Sequence, residues 1–277
     1  MFGRSVGGVV AAGVVAGVFA TVSLSGTAGA SGGSGSGSSA KPTIVLEHGA
    51  FADTASWTGV IERLEKSGYP VVAAANPLRG PASDAGYLRS VVDRIDGPVV
   101  LVGHSYGGTV ISDAAVGHED KVKALVYIAA FLPDTGETSL GLSNKFPGST
   151  LGDAIEAVPY SLPRGASGND VYIKPDKFRQ QFAADVSRRQ AALMAATQRP
   201  IAAAALEEKA TKAAWKTIPS WSLIATQDLN IPPASQRFMS ERADAHTVEV
   251  RASHAVPVSR PDVVSRVIQQ AATATAR

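Results

Sequence analysis

The chain has 277 residues, 26 of them basic and 24 acidic, and it contains no cysteine. That length fits one large domain or two small ones, and a formal charge of +2 with no basic stripe gives no electrostatic footprint for nucleic acid. The missing cysteines exclude disulfides, thiolate metal ligands, a thiol nucleophile and a lipid-modified cysteine anchor.

In chain order, the first feature is an unbroken apolar and small-residue stretch over residues 6–24, behind the single charge of Arg4. Ala28-Gly29-Ala30 follows, an A-x-A pattern of the kind signal peptidase cuts. The pattern predicts a signal peptide over residues 1–30, cleaved after Ala30, and a secreted product with no stable membrane association. A membrane-spanning anchor is the competing reading, and the valine, alanine and glycine content makes a weak one. Residues 31–40, "SGGSGSGSSA", form a glycine–serine linker with nothing to bury. The folded domain is expected over residues 41–277.

From Lys41 onward, strand-like and helix-like segments alternate. "TIVLE" at 43–47 is a β-branched run that ends at "HGAF". Trp57, Val60, Ile61 and Leu64 then share one helical face, which Gly68 closes. "PVVAAA" at 70–75 is a strand. Leu88, Val91, Val92 and Ile95 repeat the helical spacing up to Gly97-Pro98. "VVLV" at 99–102, a helix from about Tyr106 to Val116, and the strand "ALVYIAA" at 124–130 follow. The end of the chain gives the strand "WSLIAT" at 221–226, a helix around 235–242, the strand "HTVEV" at 246–250 and a last helix. That helix opens at Pro261 and turns Val264, Val267 and Ile268 inward. Continuously apolar strands between amphipathic helices imply a mainly parallel sheet covered on both faces. Residues 133–217 break this rhythm with prolines, glycines and the alanine-rich "RRQAALMAATQRPIAAAALEEKA". An insertion of that length between two strands reads as a helical cap over a substrate site.

Chemistry concentrates at Gly103-His104-Ser105-Tyr106-Gly107, a G-x-S-x-G pattern. In a chain rich in glycine and serine the pattern alone says little, but here it follows an apolar strand and opens a helix, which is the context it requires. The tight turn would lift the Ser105 hydroxyl above the sheet, with glycines where larger side chains would collide. A serine hydroxyl needs a base to take its proton. Asp228 follows the strand "WSLIAT" and His254 follows "HTVEV", so both fall at carboxyl ends of strands, in the chain order Ser, Asp, His. His254 is the expected base and Asp228 its orienting acid. Asp134, just past "ALVYIAA", is the rival acid, and His246 is the weaker rival base because it begins its strand. The expected oxyanion donors are the backbone N–H groups of Tyr106 and Ala50, with Phe51 as the alternative to Ala50. His48 and His104, each beside a glycine turn, read as structural, His118 as part of a solvated helix end, and Trp57 and Trp221 as core. No zinc or calcium ligand pattern appears.

"HGAF…W" from His48 to Trp57, "GHSYGG", "D…IPP" and "SHAVPVSRP" together resemble the α/β-hydrolase family, in the branch of plant methyl-salicylate esterases, hydroxynitrile lyases and bacterial esterases. The resemblance covers nearly all of residues 41–277. It implies an α/β fold: a mainly parallel, doubly wound sheet of about eight strands with a helical cap, no cofactor and an acyl-enzyme route. The expected protein is a secreted serine hydrolase cleaving carboxylic esters of small, largely apolar molecules. The alternatives are a hydroxynitrile lyase or perhydrolase on the same fold, or a ligand-binding protein with a slow triad. Serine at 105 excludes the dehalogenases of this fold, which carry aspartate there. The lyases use a lysine near the substrate, for which Lys209, Lys212 and Lys216 are the candidates. Oligomeric state carries no sequence signal.

Overall fold

A computed structural model of the protein describes residues 41–161 and 167–275. The expected signal peptide and linker lie outside the described residues. The β-branched run Thr43–Glu47 is β1, followed by a short 3-10 turn and helix α1, Thr58–Lys66, which buries Val60 and Leu64. Gly68 ends this segment in the left-handed region at φ 76°. Strand β2 is Val71–Ala74, and α2, Pro81–Asp93, opens with proline in its first turn, where the missing N–H leaves no bond unmade. Next come β3, Val99–His104, α3, Gly107–Ala114, and β4, Val122–Ile128.

Between β4 and the next strand of the main sheet run α4 (Ser139–Ser143), α5 (Leu151–Ala154), β5 (Ile155–Ser161), β6 (Ser167–Ile173), α6 (Pro175–Phe182), α7 (Arg188–Thr197), β7 (Ile201–Ala202) and α8 (Ala203–Glu207). The chain closes with β8, Ser220–Ala225, α9, Pro233–Arg242, β9, His246–Val250, α10, Val256–Ser259, and α11, Pro261–Ala274.

The main sheet runs β2-β1-β3-β4-β8-β9, and every neighbouring pair is parallel. Alternate residues of its strands feed two cores. Ile44, Leu46, Val100, Val102 and Val126 pack with Val60 and Leu64 of α1 and Val264 and Ile268 of α11. Val45, Leu101, Leu125 and Tyr127 pack on the other face with Leu88 of α2, Val110 of α3 and Met239 of α9. Each fully buried side chain of this size contributes roughly 1.5–3 kcal/mol. Both faces are covered, which is why these strands read as unbroken apolar runs.

Two expectations need correction. Among the described residues the main sheet has six strands rather than about eight. The segment read as a helical cap also holds a three-stranded antiparallel sheet, ordered β5-β6-β7. Most of β5 is exposed and it contains Pro159, so it lacks the apolar alternation that marks a strand. Pro200 ends the alanine-rich helix, and Ile201 and Ala202 then pair with Val171 and Asp170.

Candidate active site

Because the sheet is parallel, the segments following β1, β3, β8 and β9 emerge along one edge. The turn after β3 is held by close contact. A Cβ on Gly103 would come within 2.6 Å of the Gly107 backbone, and one on Gly107 within 2.5 Å of the Glu47 carbonyl oxygen. Ser105 is itself in the left-handed region at φ 55°, a conformation costing a non-glycine residue about 1–3 kcal/mol. It persists because the Ser105 carbonyl accepts from Gly108 and Phe131, at 3.0 and 3.1 Å, and its N–H reaches the Ile128 carbonyl. Gly49 adds a close approach that the sequence did not signal. A Cβ there would lie 2.6 Å from that of Ser105, so only glycine lets the loop after β1 lie against the turn.

His254 Nε2 lies 2.9 Å from Ser105 Oγ, and His254 Nδ1 lies 2.7 Å from Asp228 Oδ2. Both ends of this chain are buried. A carboxylate only accepts, so Nδ1 carries the proton toward Asp228 and the bare Nε2 faces the serine hydroxyl. Asp228 is positioned by donors that sequence reasoning did not find. The N–H groups of Asn230 and Ile231 donate to Oδ1 at 2.7 and 3.0 Å, and Gln236 Nε2 donates to Oδ2 at 2.9 Å.

The loop carrying His254 is bound on two sides. His104 Nε2 donates to the His254 carbonyl oxygen at 2.9 Å, with ring centroids 4.8 Å apart. Burial, and then the neighbouring imidazole, hold His104 well below the usual histidine range, so His104 stays neutral. From the cap, the Phe182 carbonyl accepts from Ala255 N–H at 2.9 Å and from Ser253 Oγ at 3.2 Å. Asp185 accepts from both the N–H and the hydroxyl of Ser253, while the Phe182 ring meets His254 edge-on at 5.0 Å.

A cavity borders Ser105, with Ala50, Phe131, Leu206 and Ile231 among its walls. Among the described residues, the N–H groups of Ala50 and Tyr106 have no hydrogen-bond partner, whereas that of Phe51 donates to the Arg199 carbonyl at 2.9 Å. The geometry therefore separates the two alternatives: Ala50 has a donor to offer and Phe51 does not. Tyr106 is fixed from behind, its hydroxyl donating to the buried Asp84 Oδ2 at 2.8 Å.

The rival candidates lie elsewhere. Asp134 is paired with Lys216 at 2.5 Å, and that cation holds its carboxyl below the usual range. His246 is exposed at the start of β9, the far end of the sheet, stacked on Trp221 at 4.8 Å. His48 donates from Nδ1 to the Gly49 carbonyl at 2.9 Å and accepts from Asn76 N–H at 3.1 Å, as a structural histidine should. His118 pairs with Asp93 at 2.9 Å, and Trp57 and Trp221 are buried. Lys209, Lys212 and Lys216 are exposed, and none borders the cavity.

The profile of the alpha/beta hydrolase family matches residues 44–267, most of the chain. The chain belongs to the alpha/beta hydrolase family. This hydrolase is 30% identical over 262 residues to a pyrethroid hydrolase of Sphingobium wenxiniae, covering 84% of this chain and 88% of that protein. It is 29% identical over 255 residues to the alpha/beta hydrolase nvfD of Aspergillus novofumigatus, covering 84% and 97%. Methylesterase 8 of Arabidopsis thaliana aligns over a shorter stretch, 29% identical across 43% of this chain and 50% of that one. Among solved structures, polyneuridine aldehyde esterase superposes with a TM-score of 0.72 at 21% identity, covering 83% of this chain and 98% of that one, and so shares the fold. Among the described residues of this hydrolase, no helix is long and apolar enough to cross a membrane.

Proposed function

We propose that this alpha/beta hydrolase is a secreted serine esterase that cleaves carboxylic esters of small, largely apolar molecules. Ser105 Oγ attacks the ester carbonyl carbon while His254 Nε2 takes its proton, and Asp228 holds the ring and balances the imidazolium. The carbonyl oxygen, now negative, is received by the N–H groups of Ala50 and Tyr106 and by the positive end of α3. Collapse breaks the bond to the alcohol oxygen, which leaves with the proton from His254. Water, deprotonated by the same nitrogen, then attacks the acyl-serine and releases the acid, returning Ser105 to its hydroxyl form.

The observation that carries this reading is the continuous chain from Asp228 through His254 to Ser105, with contacts of 2.7 and 2.9 Å, at the wall of the cavity onto which the Ala50 and Tyr106 residues face. Substrate character follows from the cavity's apolar walls and from its polar side chains being engaged already: Ser139 with Thr109, Ser143 with the Asn230 carbonyl. The relatives named as a pyrethroid hydrolase, a carbendazim hydrolyzing esterase and methylesterases support ester substrates. Export through residues 1–30 is part of the proposal and rests on the sequence pattern alone.

Replacing Ser105 by alanine is expected to lower kcat for p-nitrophenyl acetate by roughly 10³-fold or more, without unfolding the protein. Turnover at the wild-type rate in that variant would reject the assignment. A wild-type protein that binds the ester saturably but releases no burst of nitrophenol would favour a binding protein instead.

A further inference from the structure

The space at Ser105 is modest, about 410 Å³ including its mouth. A second recess of about 530 Å³ lies between the loop after β1 and helix α7. Among the described residues, Phe51 alone borders both spaces. Its backbone is fixed, in the left-handed region at φ 62° with the N–H bonded to the Arg199 carbonyl. The ring is buried and forms the wall between the two spaces, meeting Phe182 edge-on at 6.4 Å between centroids.

The chemistry of the recess points to its occupant. Its polar groups are mostly engaged within the protein. Asp53 Oδ1 accepts from Ala55 N–H at 2.9 Å, Ser56 Oγ donates to the Asp53 carbonyl, and Thr197 Oγ1 donates to the Leu193 carbonyl at 3.0 Å. The Gln198 side chain bonds both backbone groups of Ile173. What the recess offers is apolar surface from Leu193, Met194 and Val258, and Leu193 is 60% exposed at its lip. The Asp53 carboxylate disfavours any group ending in an anion.

We propose that this recess is a subsite for the distal apolar arm of the ester, reached when the Phe51 ring turns aside. The substrates are then esters with an uncharged alkyl or aryl arm too long for the reaction cavity alone. The proposal rests on the reading of Ser105 as the nucleophile, and it makes Phe51 the residue that sets arm length.

The test measures kcat/KM for two pairs: p-nitrophenyl octanoate against p-nitrophenyl acetate, and octyl acetate against ethyl acetate. Ala55→Trp would fill the recess from an exposed position on its wall. It is expected to lower the long-to-short ratio at least fivefold in one pair, and that pair identifies the acyl or the alcohol arm as the occupant. A fall of less than fivefold in both pairs overturns the subsite, as does wild-type turnover of the short esters alone. Leu193→Trp is read the same way if Ala55→Trp does not fold. Phe51→Ala is expected to raise the ratio in the same pair, and a ratio unchanged or lowered there overturns the partition. Wild-type protein inactive on all four esters would count against the nucleophile assignment, a failure distinct from the others.

Discussion

Glu47 illustrates how a single residue records its surroundings. Its side chain lies wholly inside the fold, and neither carboxyl oxygen has a hydrogen-bond partner among the described residues. Burial, and then the nearby Asp84, push its pKa well above the ordinary glutamate value. A carboxyl whose folded pKa is raised stabilises the fold most below its unfolded pKa, and that contribution is lost as pH rises toward the folded value. The loss amounts to at most about 1.4 kcal/mol per pH unit. Glu47→Gln removes the ionisation, so calorimetry should find the variant's Tm gaining on wild type between pH 5 and pH 9. A difference independent of pH contradicts this account. His48 works in the opposite direction: burial lowers it to about 4, so stability is lost as pH falls from about 6.5 toward that value.

At the same scale, much of the site was legible in the sequence, for local reasons. Ser105 announces itself because Gly103 and Gly107 must flank it, and Asp228 and His254 because each follows a recognisable strand. Gln236, Asp185 and the supporting role of His104 were not legible. Each acts through a contact made only when distant segments meet, and glutamine on α9 or aspartate after α6 has no local signature. Asp228 itself shows both sides: its position could be read, but its four-donor cradle could not.

Elements explain how the cap and the reacting groups are connected. The end of α6 and the turn that follows it hold the His254 loop through the Phe182 carbonyl and the Asp185 carboxylate. The cap is therefore anchored on this side, directly over the base. Asp185→Ala leaves the Ser253 N–H without its acceptor and the hydroxyl with the Phe182 carbonyl alone, a loss of roughly 1–3 kcal/mol for a buried donor. We expect Tm to fall and kcat to drop more than KM changes, because Asp185 orients the base without bordering the cavity; Asp185→Asn, which keeps one acceptor oxygen, should restore part of kcat. A variant with lowered Tm and unchanged kcat would show that the contact is structural only. Strand elements of the main sheet were readable in advance because burial on both faces forces unbroken apolar runs. The β5–β6 hairpin was not, since its outer strand buries almost nothing and so keeps no periodicity.

Across the whole molecule, backbone strain and function gather at one edge. Of the five non-glycine residues with positive φ among the described residues, Phe51, Leu78, Ser105 and Ala129 each follow one of the first four strands, and Asp244 precedes β9. Such residues cost about 1–3 kcal/mol each and persist where surrounding structure fixes them. Here the fixing comes from the two cores on either side of the six-stranded sheet. The scaffold is rigid where it must hold a strained serine, and three segments far apart in the chain converge there. Labelling with a fluorophosphonate, followed by mapping of the modified peptide, measures that convergence most directly. One stoichiometric adduct is expected, on Ser105, and none in Ser105→Ala. Modification at another serine, or none on folded protein at neutral pH, would contradict this account.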